Sequence, residues 1–344
     1  MKRLSRGVVL AAGTAALGLA MFAAVAFGAV HIGGSTVLSI VGSALGFHFG
    51  PAFPAWEATV VLDVRLPRVV TGAFVGAGLA ISGAALQALF RNPLADPGVI
   101  GVASGASLGA VFAIQVGGAA LGFVLPTFAI VGATGATLLV YAIASQRGRL
   151  PVGTLLLAGI AVGSLANALT TLLLSLSLEE YEQGRQTFRW LMGGLDARTW
   201  ADVALVAPTT LLGAAAIVFS TRELDALLLG ETEAVALGVD VPSVRRRLIF
   251  ATSIVIGGAV AVSGLIAFVG LVIPHVVRLL VGPAHAVLLP ACFVVGAVFV
   301  VATDLLCRTV AAPEEIRLGV MTAAIGAPFF LFLLLSRRRE VSIE

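Results

Sequence analysis

Long stretches without a charged side chain are the feature that most restricts the structures open to this chain. A helix needs about 20 mostly apolar residues to cross the hydrocarbon layer of a bilayer. Within that layer only helices and closed barrels satisfy all their backbone polar groups. The charge-free stretches are 19 to 50 residues long and cover residues 8–30, 69–90, 97–146, 150–178, 203–221, 248–277, 279–303 and 318–336. They predict a bundle of membrane-spanning helices.

The composition supports a membrane protein and argues against a nucleic-acid-binding protein. Charged residues make up 11% of the 344 residues, and the mean hydropathy is +1.07. Soluble domains carry roughly 25% charged residues, because a surface in water needs them. Most of this surface must therefore face lipid. The net charge of +3 comes from basic residues in short loops and tails, so we expect no nucleic-acid partner.

The basic residues predict both the number of spans and their orientation. Lys and Arg concentrate in cytoplasmic segments of membrane proteins. The N-terminal tail, the tail at Arg337–Arg339 and the cluster Arg245–Arg247 are all basic, so all three are predicted to be cytoplasmic. Both termini on one side require an even number of crossings, and ten crossings place 14 of the 21 basic residues inside.

The sequence therefore predicts an all-α membrane protein with one transmembrane domain over residues 1–344. The first apolar run has 23 residues and is longer than the core of a signal peptide, so we interpret it as a membrane span. The ten spans are predicted at about 8–30, 67–90, 98–117, 123–144, 154–178, 201–220, 248–267, 268–282, 285–308 and 316–336. Residues 221–247 are predicted to form the long cytoplasmic segment, and residues 31–66 and 179–200 the long segments on the outside.

Several functions are disfavoured by residues that are absent. The only lysine is Lys2, so the chain has no Walker A motif, and any ATP hydrolysis must occur on another chain. Cys292 and Cys307 predict no disulfide framework, no metal site is expected, and no catalytic motif is found. A stand-alone ion-coupled transporter remains the alternative of another class, although such a protein usually needs ionisable groups in mid-membrane.

Three segments carry polar signals. Ser220 and Glu223 suggest a capping box that begins a short helix, which Gly230 would end, with a second short helix stopped by Gly238. These helices fit either a docking surface for a soluble subunit or a structural loop. The segment 91–98, with two prolines and a glycine, predicts a stiff turn or a gate. Glycines four residues apart, as at Gly72 and Gly76, predict close helix packing.

These residues resemble the permease family of ABC importers for iron-siderophores, haem and cobalamin. The resemblance runs in order from about residue 60 to the C-terminus. It rests on RLPR at 65–68, SG-x-x-x-Q at 82–87, RNPLADPG at 91–98, SGASLGA at 104–110, LLLAGIAVG at 155–163, W-x-MGG at 190–194, LLLGE at 227–231, A-x-x-LGV at 234–239, SGLIAFVGLVIPHVVRLL at 263–280, D-x-x-x-R at 304–308 and EIRLGVMTAAIGAPFF at 315–330.

The resemblance implies a type II ABC importer permease fold in the bacterial inner membrane. Such a permease pairs with a second copy of itself, with two ATPase subunits that hold ATP and Mg, and with a periplasmic substrate-binding protein. By residue-to-residue match, the binding protein docks at Arg65, Arg68 and Arg308, and the cytoplasmic gate contains Asn92, Leu94, Val152 and Gly153. ATPase coupling is implied for Leu224, Leu227, Leu228, Gly230, Glu231, Ala234, Leu237 and Gly238.

The substrate is the least constrained part of the prediction. The runs PGVIG at 97–101 and TFRWLMGGL at 187–195 look most like those of haem permeases, so haem is the first expectation. A ferric siderophore and cobalamin remain alternatives. No cofactor is expected on this chain.

Overall fold

The computed structural model describes residues 6–28, 30–47, 50–117, 122–145, 150–176 and 181–341, and all regular structure in these ranges is helical. The α-helices are α1 (Arg6–Ala26), α2 (Gly34–Ala44), α3 (Ala55–Thr59), α4 (Leu66–Leu89), α5 (Val102–Gln115), α6 (Val124–Ala144), α7 (Val152–Leu176), α8 (Tyr181–Leu191), α9 (Trp200–Phe219), α10 (Thr221–Leu229), α11 (Glu231–Ala236), α12 (Val241–Ser263), α13 (Val269–Val281), α14 (His285–Thr309) and α15 (Leu318–Val341).

Ten of these helices lie where the sequence predicts membrane spans, namely α1, α4, α5, α6, α7, α9, α12, α13, α14 and α15. Within the described ranges, seven helical segments are long and apolar enough to cross a bilayer by themselves. Helices α5 and α13 have only 14 and 13 residues. At about 1.5 Å per residue each is shorter than the hydrocarbon layer is thick, so the crossings predicted at these two helices stay predictions.

The start of α12 differs from the expectation. The helix begins at Val241 rather than near residue 248, so the segment before it ends at Asp240. The Asp240 side chain accepts a hydrogen bond from the Ser243 amide at 3.3 Å, which begins the helix. Three consecutive arginines then continue it, because arginine is a good helix former whose apolar stem can lie along a membrane helix.

Two segments predicted to lie outside the membrane contain helices of their own. Residues 31–66 include α2 and α3, and α3 continues through a π-helical turn, Val60–Arg65, directly into α4. The segment 179–200 includes the amphipathic helix α8. Buried Val37 and Ile40 of α2 join a small apolar cluster with the last turn of α1, which explains why this segment folds.

Close helix contacts confirm that the glycine spacing serves packing. A Cβ added to Gly76 of α4 would lie 2.2 Å from the carbonyl oxygen of Gly296 in α14. A Cβ on Gly105 of α5 would lie 2.4 Å from the carbonyl oxygen of Gly132 in α6. In lipid, where no hydrophobic effect drives helices together, such backbone approach supplies the dispersion contacts that hold a bundle.

The bundle has two ends that differ in chemistry. The arginine end, defined by Arg65, Arg68 and Arg308, holds the start of α4 and the ends of α1 and α14. The platform end, defined by α10 and α11, holds the end of α9 and the starts of α12 and α14. Helix α15 starts at the arginine end, where Arg317 pairs with Asp196. Helices α1 and α15 therefore have their free ends on the platform side.

Candidate docking, gate and coupling sites

Two of the three arginines matched to docking are buried against the end of α1. Arg65 and Arg308 are 6% and 7% exposed. The Arg65 Nη1 donates to the carbonyl oxygens of Val25 at 2.6 Å and Ala26 at 2.9 Å, and Arg308 Nη2 donates to that of Ala24 at 3.1 Å. The last carbonyls of a helix have no partner within it and carry partial negative charge. These two guanidinium groups therefore fasten the end of α1 to α4 and α14.

The third arginine belongs to an ion-pair cluster. Arg68 Nη2 lies 2.9 Å from the Asp304 Oδ1 and 2.9 Å from the Glu315 Oε2. The Arg308 Nε lies 3.2 Å from the Asp304 Oδ2, a contact that their spacing of four residues along one helix allows. The Asp304 side chain is 3% exposed. This buried carboxylate therefore pairs with two guanidinium groups at once, and Glu315 supplies the second negative charge of the cluster.

A second group of arginines at this end was missed in the sequence. Arg185, Arg189, Arg198 and Arg317 line an open cavity of about 350 Å³. Arg185 and Arg189 have side chains 53% and 48% exposed. The sequence did contain a signal for this group. Three of these arginines lie within the segment 179–200, which is predicted to be outside, and basic residues are disfavoured on that side of a membrane.

Asp196 organises this cavity. Its carboxylate lies 2.8 Å from Arg317 Nη1 and 3.3 Å from Arg189 Nη2. Burial by itself raises the pKa of Asp196, but hydrogen bonds and charge from Arg317 outweigh burial, so the pKa of this carboxyl lies below its usual range. The carboxylate stays charged and leaves an excess of positive charge around the cavity.

The turn matched to the gate begins with a helix-ending motif. The Asn92 amide donates to the Gln87 carbonyl at 3.0 Å, and the Arg91 amide donates to the Ala88 carbonyl at 3.0 Å. This is the Schellman pattern, with Arg91 in the left-handed position at φ 48°. The Asn92 Oδ1 then accepts from the Leu94 amide at 2.9 Å. The stiff turn predicted for 91–98 is thus present.

Asp96 ends this turn by capping the 3₁₀ helix Pro97–Ile100. Its Oδ1 accepts from the Gly98 amide at 2.8 Å. Burial disfavours the charged form and raises the pKa of Asp96, and the hydrogen bond from Gly98 offsets part of that effect.

The other residues matched to the gate begin α7. Val152 is its first residue, and a Cβ on Gly153 would meet nothing within 4 Å. Gly101, which follows the turn, contacts α7 at Gly159 rather than at its first residues. A Cβ on Gly101 would lie 3.4 Å from the Gly159 carbonyl oxygen.

Two short helices form at the platform end, as predicted. Gly230, at φ 142°, separates α10 from α11, and Gly238, at φ 83°, follows α11. Leu224, Leu227 and Ala234 are at most 2% exposed and anchor both helices to the bundle.

The predicted capping box at the start of α10 is wrong. Ser220 makes no side-chain cap; its hydroxyl donates back to the Ala216 carbonyl at 3.0 Å. Capping needs an extended residue before the helix, but Ser220, at φ −91° and ψ 12°, nearly continues α9. Glu223 pairs instead with Arg247 at 2.9 Å.

Three acidic side chains connect the platform to membrane helices. Glu223 pairs with Arg247 at 2.9 Å, and Glu231 pairs with Arg245 at 2.8 Å. The third, Asp225, contacts His285 at the start of α14. Arg245 also donates to the Leu150 carbonyl at 3.0 Å, next to the start of α7.

The platform also exposes apolar side chains. Leu228, Leu229, Val235 and Leu237 are 40%, 65%, 59% and 65% exposed. Leu229 and Val235 were not among the predicted coupling residues, since the resemblance did not distinguish exposed from buried positions of the short helices.

In the described part of the chain, no three His, Cys, Asp or Glu side chains come together as metal ligands. Cys292 and Cys307 are buried separately.

A helical membrane bundle with an ion-paired platform at one end defines a membrane permease. The chain belongs to the FecCD transport family, whose model matches residues 16–336. It is therefore a permease of an ABC importer.

Named relatives and a solved structure agree with this assignment. The chain is 47% identical to the cobalamin import system permease protein of Halobacterium salinarum, over 84% of this chain and 76% of that one. It is 42% identical to the vitamin B12 import system permease protein of Vibrio vulnificus and 40% identical to the hemin transport system permease protein of Yersinia pestis, each over 82% of this chain and 84% of the relative. A structure described as a metal-chelate type ABC transporter in an inward-facing conformation matches 96% of this chain and 99% of its own, with a TM-score of 0.85 at 32% identity.

Proposed function

We propose that this chain imports cobalamin or a closely related corrinoid. The observation that carries the proposal is the 47% identity to a cobalamin import permease. Haem, the first expectation from the sequence runs, becomes the second candidate, supported by the 40% identity to a hemin permease. The ferric siderophore is the third candidate, and the similarity to a metal-chelate type ABC transporter is the finding related to it.

The cargo can be tested in proteoliposomes that contain the chain with its own ATPase and binding protein. The proposal expects ATP-dependent accumulation of radiolabelled cyanocobalamin and little accumulation of haemin. Accumulation of haemin alone would favour the second candidate. Uptake driven by an ion gradient without the ATPase would overturn the importer mechanism and favour a secondary transporter.

The proposed assembly contains two copies of this chain, two ATPase subunits and a substrate-binding protein, as the family resemblance implies. The platform end is proposed to be cytoplasmic, with both termini, and the arginine end is proposed to face outward. The basic cluster Arg245–Arg247 at the platform end supports this orientation, because basic residues concentrate on the cytoplasmic side. The membrane is proposed to be the bacterial inner membrane.

Docking of the binding protein is proposed at the arginine end. Burial of Arg65 and Arg308 supports an indirect role, in which both hold α1, α4 and α14 in the geometry that the partner recognises. Arg68 is itself mostly buried but pairs with the exposed carboxylate of Glu315. Arg185 and Arg189 have exposed side chains that are available for direct contact. Charge pairs of this kind guide encounter and register more than they add affinity.

The ATPase is proposed to bind the platform through its exposed apolar side chains. Buried Leu224 and Leu227 hold α10 in place, and the acidic links to Arg245, Arg247 and His285 carry its displacement to α12 and α14. The turn at Asn92–Leu94 and the start of α7 at Val152 and Gly153 are the proposed gate elements that respond.

The coupling proposal predicts a clear co-purification result. Leu229→Glu or Leu237→Glu should reduce recovery of the ATPase with the permease. Leu45→Glu, a matched change at a residue 70% exposed just after α2, should leave recovery unchanged. Equal recovery from all three variants would contradict a platform contact.

A further inference from the structure

A cavity at the platform end contains two arginines that form no ion pair with any residue the structure describes. It has a volume of about 380 Å³ and is lined by Gln87, Arg91, Leu228, Arg278 and His285, among others. These residues come from the end of α4, from α10, from the end of α13 and from the first residue of α14.

The two arginines of this cavity lack a carboxylate among the described residues. Arg278 Nη2 donates to the Gln87 Oε1 at 3.0 Å, and Gln87 Nε2 donates in turn to the Gly270 carbonyl at 3.3 Å. The amide thus orients the guanidinium group without neutralising it. A partly buried cation without a counter-charge is costly, and this cost points to an anion from outside the chain.

His285 supplies a different recognition group. It is 1% exposed, and its Nδ1 lies 2.6 Å from Asp225 Oδ1. A carboxylate only accepts hydrogen bonds, so Nδ1 carries a proton, and in the neutral form of the imidazole Nε2 is an acceptor. Within the described residues this Nε2 is buried and has no hydrogen-bond partner. A ligand that satisfies it must offer a hydrogen-bond donor.

Arg91 occupies a backbone position that favours glycine. It holds the left-handed residue of the Schellman motif that ends α4, at φ 48°. Helix α11 ends in the same motif with Gly238 at that position. The left-handed conformation is unfavourable for a residue with a Cβ, so an arginine rather than a glycine at this position points to a role for its side chain.

We propose that this cavity binds the headgroup of an anionic phospholipid of the glycerol type, such as phosphatidylglycerol. The phosphate would lie between Arg91 and Arg278, and a headgroup hydroxyl would donate to His285 Nε2. Leu279, which follows Arg278 outside the platform helices, is 62% exposed and offers apolar surface for an acyl chain. That surface favours a lipid over free phosphate. Only the assignment to the cytoplasmic leaflet rests on the proposed function.

The test uses the full-length chain purified without an ATPase, so its result does not depend on transport. Native mass spectrometry would count retained phosphatidylglycerol and phosphatidylcholine, and thermal unfolding would report stabilisation by each lipid. Wild type should retain phosphatidylglycerol preferentially. Arg278→Gln should weaken retention about tenfold, the effect of losing one charge-assisted contact.

Arg91→Gly separates binding from folding. The glycine relieves the backbone strain, so this variant should unfold at the same or a higher temperature and still lose phosphatidylglycerol. Arg246→Gln, which removes an exposed charge at the same end outside the cavity, is the control and should retain the lipid.

Three results would overturn the proposal. Equal loss in Arg246→Gln would show attraction to net charge only, and stabilisation by inorganic phosphate equal to that by the lipid would show a small-anion site. Unchanged lipid retention in Arg91→Gly and Arg278→Gln, with ATPase recovery lost, would assign the cavity to the ATPase.

Discussion

Asp225 of the platform helix α10 binds the first residue of α14 twice: its Oδ1 accepts from the His285 amide at 3.0 Å and lies 2.6 Å from the His285 Nδ1. The amide is one of the unpaired donors at the start of α14, and a carboxylate there is also favoured by the helix dipole. One side chain thus joins the platform to a span that reaches the arginine end, where Arg308 holds α1.

Replacement of Asp225 should weaken this link. Asp225→Ala removes an acceptor at a helix start and should cost about 1 kcal/mol of stability. Asp225→Asn keeps an acceptor oxygen and should cost less. Thermal unfolding of the purified variants measures the difference, and ATPase stimulation by the loaded binding protein measures coupling. Equal behaviour of the alanine and asparagine variants would contradict a hydrogen-bonding role.

Removal of Asp304 should destabilise the arginine end strongly. Asp304→Ala leaves Arg308 without its carboxylate and Arg68 with only the more exposed Glu315, and loss of a buried ion-pair partner typically costs about 3 kcal/mol or more. Glu315→Gln, at a side chain 43% exposed, should cost under about 1 kcal/mol. Unfolding in graded denaturing detergent can rank the two variants. A larger loss for Glu315→Gln would show that Asp304 is not the central anion of the cluster.

Substitution of Gly76 should separate α4 from α14. Gly76→Ala puts a methyl group 2.2 Å from the Gly296 carbonyl oxygen, so the helices must move apart. Overpacking of this kind costs about 1–3 kcal/mol. Gly135→Ala in α6, where a Cβ meets nothing within 4 Å, should be neutral or stabilising. Thermal unfolding of the two variants tests the contact, and similar melting temperatures would argue against it.

Acidification should stabilise the wild type relative to variants in which residue 96 cannot titrate. The pKa of Asp96 in the folded chain is raised above 3.8, chiefly by burial. The folded state therefore binds the proton more tightly than the unfolded state, and acidification through the folded pKa stabilises the wild type. Asp96→Asn keeps the cap without charge, so it should equal or exceed wild type in stability at neutral pH.

The stability advantage of Asp96→Asn should shrink as the pH falls, while Asp96→Ala, which does not titrate either, should stay about 1 kcal/mol below Asp96→Asn at every pH because the cap is gone. Melting temperatures measured from neutral to acidic pH test both statements. A constant difference between wild type and Asp96→Asn would mean that the carboxyl does not titrate as its burial requires.

Charge reversal at the exposed arginines should weaken docking of the binding protein. Arg189→Glu removes one positive charge and adds a negative one at the open cavity, so association should slow at low salt and the difference should shrink at high salt. Arg65→Gln should instead lower thermal stability, because it releases the end of α1. Surface plasmon resonance at several salt concentrations checks the first effect. Unchanged association for Arg189→Glu would move docking away from this cavity.

Local patterns in the sequence were enough for the helices and several of their ends. Charge-free windows predict where the spans lie because each window must satisfy its own backbone in lipid. Gly230 and Gly238 predict the ends of α10 and α11 because few other residues adopt a positive φ at low cost. The same local signals gave a wrong prediction at Ser220. Its hydroxyl donates to the Ala216 carbonyl in the preceding turn and accepts from Arg247 Nε, far away in sequence, instead of capping α10.

The sequence by itself determined that this protein is a helical membrane permease, because hydropathy, the missing Walker A lysine and ordered motifs are properties of the linear chain. Only the tertiary structure decided what the charged residues do. It buried Arg65 and Arg308 against the carbonyl groups of α1 and grouped Arg91, Arg278 and His285 around one cavity. The reason is physical: the partner of a guanidinium group is chosen by distances between helices, and sequence spacing does not contain those distances.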